Sequence, residues 1–345
     1  MDRVRVGIVG MGIGRDNGRA LHKNPRGEVV ALCDLVPERM KEFAQELGCP
    51  VKMYTSTAEL CSDPDVDAIF VGTPNHLHVP VALRAVAHGK HVMVTKPLAD
   101  SVGAAAELVA AAEAAGVVNM MSLSTRFSAD VRYLGQLCRE GRLGEIYYAR
   151  ARSIRRSGIP DWNTGFVTAG GGAFRDMGVH VLDAVWWLLG MPEPATVTGV
   201  AGARFGPRGT GYWDYRRPPE SFYSQYAADD YGGGMIRFTD GTGLQIESFW
   251  ASHQPTDLNI ELFGTDAGAT LRPLTLYQTV NDAPLDTRIT VPATGSAFGA
   301  VADHFIACIL DGVPCEAPLR HGLVVQRMME GLLESAALGH EVNLI

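Results

Sequence analysis

The sequence predicts two domains of different class: a doubly wound α/β domain with a parallel sheet over residues 1–124, then an α+β domain with a large open, mainly antiparallel sheet over residues 125–345. Three observations carry this. An apolar strand breaks into a glycine turn within the first 14 residues, strand and helix then alternate to about residue 124, and strands predominate beyond it. With 345 residues, 46% hydrophobic and 20% charged, the chain is long and apolar enough to bury two cores.

Residues 3–9 alternate and then run apolar, ending in Gly7-Ile8-Val9-Gly10-Met11-Gly12-Ile13-Gly14, a buried strand entering a glycine turn. A helix over 15–24 and a strand over 28–33 follow, and that strand ends in Asp34, twenty residues after Gly14. This is the arrangement of a dinucleotide site, the Rossmann pattern. Gly10, Gly12, Ile13 and Gly14 let backbone approach a pyrophosphate at a helix N-terminus, and Asp34 accepts from the adenosine ribose hydroxyls. Arg15 stands where the third glycine of the usual pattern falls, which suggests a turn one residue short. Leu35 and Val36 offer nothing to neutralise a 2′-phosphate, so NAD is expected over NADP.

Residues 37–47 read as a helix stopped by Gly48, and 67–72 as an apolar strand leading into Thr73-Pro74-Asn75-His76-Leu77-His78. A helix to His88, a strand over 91–95 ending in Lys96-Pro97, a helix capped by Ser101 and stopped by Gly116, and a strand over 117–123 complete the layer. Ligands of such sheets bind beyond the C-terminal strand ends, so Thr73, Pro74, Asn75, His76, His78, Thr95 and Lys96 are expected near the cofactor. Pro97 keeps Lys96 out of helical conformation and aims its ammonium; His76 and His78 suit helix capping equally well.

In the second domain, strands are expected over 145–153, 196–203, 233–238, 244–251, 258–263 and 269–271, with a hairpin turn at Thr239-Asp240-Gly241-Thr242. Helices over 299–310 and 322–338 close the chain. The irregular stretch 204–226 is expected to expose Tyr212, Trp213 and Tyr215 for sugar stacking or as a subunit arm.

A net charge of −8 without a basic block argues against a nucleic-acid groove, although Arg150, Arg152, Arg155 and Arg156 cluster locally. No apolar run is long enough to span a bilayer, and Met1-Asp2-Arg3 leads straight into a strand, so a cytoplasmic protein away from membranes is expected. The six cysteines are dispersed without C-x-x-C; buried thiols are expected, with no metal and no disulfide framework.

The most informative segment is Gly170-Gly171-Gly172-Ala173-Phe174-Arg175-Asp176-Met177-Gly178-Val179-His180. On a helix opened after the glycines, Asp176 and His180 stand four residues apart on one face, a carboxylate beside an imidazole able to take a proton near neutral pH. The same spacing also suits a structural hydrogen bond. Arg126, Arg155, Arg156, Asp161, Trp162 and Asn163 precede this helix and are expected to border a substrate pocket. In that group Asp161-Trp162-Asn163 offers polar partners beside an aromatic plate, or else forms an ordinary turn.

The chain resembles the Gfo/Idh/MocA family, the glucose–fructose oxidoreductase and inositol dehydrogenase group, over nearly its whole length. The matching stretches are Gly7 to Gly14 with Asp34, the segment DAIFVGTPNHLH, Gly89-Lys90-His91-Val92 running into Lys96-Pro97, GGGAFRDMGVHVLD, and Glu261-Leu262-Phe263-Gly264-Thr265. The resemblance implies Lys96, Asp176 and His180 as the catalytic group, a tightly held nicotinamide cofactor, sugar, polyol or glycoside substrates, and homodimers or homotetramers formed through the open sheet. Thr95 departs from the family, which usually carries Glu before Lys-Pro. The implied reaction is hydride transfer from a secondary hydroxyl to NAD, with His180 as base, Lys96 on the developing alkoxide, and Asp176 keeping substrate or imidazole in register. Two further readings stay open: glycoside cleavage through transient oxidation without net redox change, and a non-catalytic NAD-sensing regulator.

Overall fold

The computed structural model describes residues 2–292 and 295–345. In chain order the first elements are β1 (Val4–Val9), α1 (Ile13–Lys23), β2 (Gly27–Cys33), α2 (Pro37–Leu47), β3 (Lys52–Tyr54), α3 (Thr57–Ser62), β4 (Ala68–Val71), α4 (Asn75–Ala87), β5 (His91–Val94), α5 (Val102–Ala114) and β6 (Asn119–Met121). Next come α6 (Ala129–Arg139), β7 (Ile146–Ile154), α7 (Val179–Leu188), β8 (Pro194–Gly202), α8 (Glu220–Tyr223), β9 (Tyr231–Phe238), β10 (Gly243–Phe249), β11 (Asp257–Gly264), β12 (Gly268–Leu271), β13 (Leu274–Val280) and β14 (Ala283–Arg288). Helices α9 (Ala297–Leu310) and α10 (Leu319–Leu338) and the short β15 (Val342–Asn343) end the chain.

Two compact units result: residues 1–127 with 295–326, and residues 128–294 with 327–345. The first is thus discontinuous, whereas the sequence suggested a single division after residue 124. Its sheet runs β3-β2-β1-β4-β5-β6, all parallel, with the order reversing between β1 and β4. Val4, Val6, Ile8, Ala68, Ile69, Val92, Met93 and Val94 are wholly buried, as strands covered on both faces must be. Local chemistry sets the helix ends. Pro37 opens α2 and left-handed Gly48 closes it; the Ser101 hydroxyl accepts from the Ala104 N–H at the start of α5, and the Ser296 hydroxyl accepts from the Gly299 N–H at the start of α9. Helix α9 packs on α1 and β1.

The second unit's sheet has nine strands in the order β14-β13-β12-β11-β7-β10-β9-β8-β15. All its neighbours are antiparallel except β7 with β10. The β9–β10 hairpin turns at the expected place, with Gly241 at φ +92°. Sequence pattern missed β3, α3, α6, β15 and the β13–β14 hairpin; the last is exposed along β14, so no buried face imposes alternation on it. Tyr212 corrects another expectation. It is fully buried among Ile159, Val167, Met177 and Trp250, its hydroxyl donating to the Gly206 carbonyl at 3.1 Å, while Tyr215 is exposed as expected. An aromatic ring in an irregular loop follows burial, and here the loop folds over its own apolar cluster.

Candidate functional site

The first unit carries the glycine turn at the sheet's switch point, where two neighbouring strand ends diverge. Gly10 has φ +88°, and a Cβ there would come within 2.5 Å of the Gly72 carbonyl oxygen, so both the turn and the close approach of the β4 end require glycine. Around Gly12 a Cβ would meet nothing, leaving open space over the start of α1, which no side chain caps. Gly14 supplies the close packing expected of a third glycine, since its Cβ would lie 3.0 Å from Ile8 Cγ2. That explains why Arg15 is tolerated one residue later. Asp34 accepts from the Met11 N–H at 2.7 Å and from the Val36 N–H at 2.9 Å, tying the end of β2 to the glycine turn.

Beyond β4, Thr73, Pro74 and Asn75 lead into α4, and the buried Thr73 Oγ1 has no hydrogen-bond partner within the protein. A dinucleotide fits this cradle. It would supply a partner to Thr73 Oγ1, place its pyrophosphate over Gly12 and the uncapped start of α1, and give ribose hydroxyls to Asp34. His78, expected at the cofactor, is fully buried, with Nδ1 2.7 Å from the Pro97 carbonyl oxygen and Nε2 2.7 Å from that of Thr73. It therefore bridges the loop after β4 to the turn after β5. Burial pushes its pKa down, opposed by the two carbonyls. The exposed His76 makes no such bridge. Thr95 is buried and Lys96 half-buried where β5 ends, the Thr95 N–H donating to the Val71 carbonyl, and the Lys96–Pro97 peptide is cis. Arg126 is wholly buried instead of lining an open pocket. Its Nη1 donates to the Glu316 carbonyl at 2.6 Å and lies 3.2 Å from His321 Nδ1. Burial, reinforced by the Arg126 charge, pushes His321 down to about 4.

The second unit holds Asp176 and His180, and the segment between them is not plain α-helix. Phe174–Gly178 form one π-helical turn continuous with α7, the Val179 N–H reaching back to the Phe174 carbonyl. Such turns insert a residue and re-aim the side chains beside them. The turn is held by Asp229, whose carboxylate accepts from the Phe174 N–H at 3.0 Å and whose carbonyl accepts from the Ala173 N–H. Gly172, at φ +118°, leaves room for that carboxylate, which a Cβ would strike. Asp176 Oδ2 accepts from the Trp250 indole N–H at 2.9 Å.

The expected substrate residues of this unit fall into two groups. The Arg155 guanidinium is half-buried over the Trp213 ring at 4.7 Å, and burial lowers its pKa against the pull of Asp176. Asp161 pairs with Arg216 at 3.0 Å, and the exposed Trp162 meets Trp213 and Phe166 edge-on. Asn163 instead caps a short 3-10 turn through the Gly165 N–H, and Arg156 points to solvent. Trp213, expected exposed for sugar stacking, is half-buried beneath Arg155, whereas Asp229 and Trp250 were missed from sequence. For Trp250 a signal existed: just beyond β10, it continues the alternation in which Leu244 and Ile246 are buried.

Residues 4–123 match the family model "Oxidoreductase family, NAD-binding Rossmann fold", and residues 131–270 match the "GFO/IDH/MocA C-terminal domain". The chain is 29% identical to the D-glucoside 3-dehydrogenase of Escherichia coli strain K12, over 99% of this chain and 97% of that one. Among solved structures it is similar to the aldose-aldose oxidoreductase from Caulobacter crescentus complexed with glycerol, at 25% identity and TM-score 0.80, covering 99% of each chain. It shares the fold of levoglucosan dehydrogenase complexed with NADH and levoglucosan, at 23% identity and TM-score 0.83, covering 99% of each chain. Among the described residues no helix is long and apolar enough to cross a membrane.

Proposed function

The chain belongs to the Gfo/Idh/MocA family of NAD-binding oxidoreductases, and from that premise we propose that it moves hydride between a secondary hydroxyl of a sugar, cyclic polyol or glycoside and NAD. The observation that carries the reading is Asp176 on a π turn braced by Asp229 and Trp250 and continuous with the helix that carries His180, in a chain whose glycine turn, Asp34 and Thr73 fit NAD. The full-length likeness to a D-glucoside 3-dehydrogenase supports the substrate class.

In this reading His180 takes the hydroxyl proton as the carbon gives up hydride, and the Lys96 ammonium steadies the developing alkoxide. Asp176, anchored by the Trp250 indole, orients the imidazole or the neighbouring hydroxyl. Arg155 and Trp213, with Asp161 and Trp162 beside them, offer a cation, an acceptor and aromatic faces to a sugar ring. Bound NAD supplies the hydride acceptor at its nicotinamide ring. We propose further that the protein works in the cytoplasm as a homodimer or homotetramer joined through the open sheet.

The test is a screen of cyclic polyols, aldoses and glycosides with NAD⁺ and with NADP⁺, following reduced nicotinamide and product mass. Reduced cofactor with one class of substrate and preference for NAD⁺ are expected, and both Lys96→Ala and His180→Ala should abolish turnover while NAD still binds. Glycoside cleavage without accumulated NADH would move the assignment to transient oxidation. NAD binding with no turnover of any of these substrates would count for a regulator.

A further inference from the structure

Three side chains far from the glycine turn in sequence converge at the end of α9. His304 and Cys308 stand one helical turn apart on the same face, and Cys315 returns to them after the loop Asp311-Gly312-Val313-Pro314. The His304 nitrogen and the two Sγ atoms all lie within 4.8 Å of one another. Among the described residues this is the one group of three or more such ligands found together. Dispersed cysteines without C-x-x-C gave no sign of it in the sequence, because the helix and the left-handed Gly312 turn bring the third ligand home.

We propose that His304, Cys308 and Cys315 form a binding site for one thiophilic divalent cation of the Zn²⁺ class. The separations support this. Zinc bonds of about 2.3 Å to sulfur and about 2.0–2.1 Å to nitrogen, at a tetrahedral angle, place sulfur and nitrogen about 3.6 Å apart. Cys308 Sγ lies 3.5 Å from His304 Nε2. The imidazole is also in the required tautomer. Its Nε2 accepts the Glu316 backbone N–H at 2.9 Å, so that nitrogen carries the lone pair and Nδ1 carries the proton. The ring packs against Phe127 with centroids 5.5 Å apart, which fixes its plane.

Binding exchanges the Glu316 hydrogen bond for the metal and releases a proton from each thiol, so two thiolates balance the dication. Three protein ligands leave a fourth position for water. Neither His304 nor either cysteine belongs to the proposed catalytic or cofactor residues, so the site stands whether or not the hydride-transfer reading does.

The test uses the full-length protein with NAD bound, reduced and freed of metal by a chelator, then titrated with Zn²⁺ against a chromophoric zinc indicator and separately with Co²⁺. One equivalent per chain and thiolate-to-cobalt charge-transfer absorption are expected, with affinity falling more than about tenfold in Cys315→Ser and in His304→Gln. Unmutated protein gives a second readout: Zn²⁺ should protect Cys308 and Cys315 from alkylation while leaving Cys49 and Cys138 unprotected. Uptake of metal at equal affinity in both variants, absence of the charge-transfer band, or identical alkylation of Cys308 and Cys315 with and without Zn²⁺ would overturn the proposal.

Discussion

At Asp34 a single carboxylate ties the protein's own turn and, in the proposed reading, meets the cofactor as well. It accepts from the Met11 and Val36 N–H groups, so its charge shapes the turn, and the proposed ribose contact would make the same charge select the ligand. The neighbouring Leu35 and Val36 present no cation to a 2′-phosphate, and Arg15 is held by Glu42 and Glu46. Replacing the carboxylate by a hydroxyl removes about one charge-assisted hydrogen bond, roughly 1.5–3 kcal/mol, and also removes repulsion of a phosphate. Asp34→Ser is therefore expected to lower kcat/KM for NAD⁺ by about ten- to a hundredfold and to raise the NADP⁺/NAD⁺ ratio. Steady-state kinetics with both cofactors measure this directly, and an unchanged ratio would show that discrimination resides elsewhere. Residues of this kind are legible in sequence because their meaning depends on short spacing: Gly10, Gly12, Gly14 and Asp34 lie within one strand-helix-strand repeat. His78 and Arg126 show the opposite. Each looks available for a ligand until the fold shows it bonded to carbonyls distant in sequence, those of Pro97 and Glu316.

At the level of elements, the segment that carries Asp176 and His180 is set by strands as much as by its own helix. Asp229, just before β9, holds the start of the π turn; the Ser248 hydroxyl on β10 donates to the Ala173 carbonyl, and Trp250 just beyond β10 donates to Asp176. None of this is visible in the segment itself, since an apolar pattern reads much the same through an α turn and a single π turn, and the partners lie 55 to 75 residues away. Spacing singles out Asp176 and His180, while register supplies their support. Trp250→Phe isolates that support, because it keeps an aromatic ring in the cluster of Ile159, Met177 and Tyr212 while deleting the indole N–H. If the indole positions Asp176 for proton transfer, kcat should fall by about tenfold, the cost of one net hydrogen bond of roughly 1.4 kcal/mol, with NAD affinity unchanged. Trp250→Phe with wild-type kcat would reduce the contact to packing.

Across the whole chain, the cofactor-binding unit is completed by a second segment that begins at residue 295, almost 170 positions after the first ends at residue 127. Val301, Ala302, Phe305 and Ile306 of α9 are wholly buried or nearly so in that unit, and Ile306 abuts Gly27 so closely that a Cβ there would lie 2.6 Å from its Cδ1. The following segment lies along β6: the Met121 N–H donates to the Ala317 carbonyl at 2.9 Å, and the Leu319 N–H to Asn119 Oδ1 at 3.0 Å. The exposed pair Arg26–Asp311 adds little by comparison. Burying a large apolar side chain contributes about 1.5–3 kcal/mol, so Val301, Phe305 and Ile306 together are worth about 5–9 kcal/mol, comparable with the whole stability of a typical domain, about 5–15 kcal/mol. A fragment of residues 1–127 would lose this face and bare the β6 edge, which invites association between chains. That fragment is expected to aggregate or to melt without a cooperative transition, and to bind NAD poorly. Joining residues 295–326 to it through a long Gly/Ser linker should restore both a sharp melting transition and NAD binding, followed by circular dichroism and nucleotide titration. Equal cooperativity and equal NAD affinity with and without the joined segment would show that the strand-helix repeat of the first 127 residues is self-sufficient, and that α9 covers a core already stable by itself.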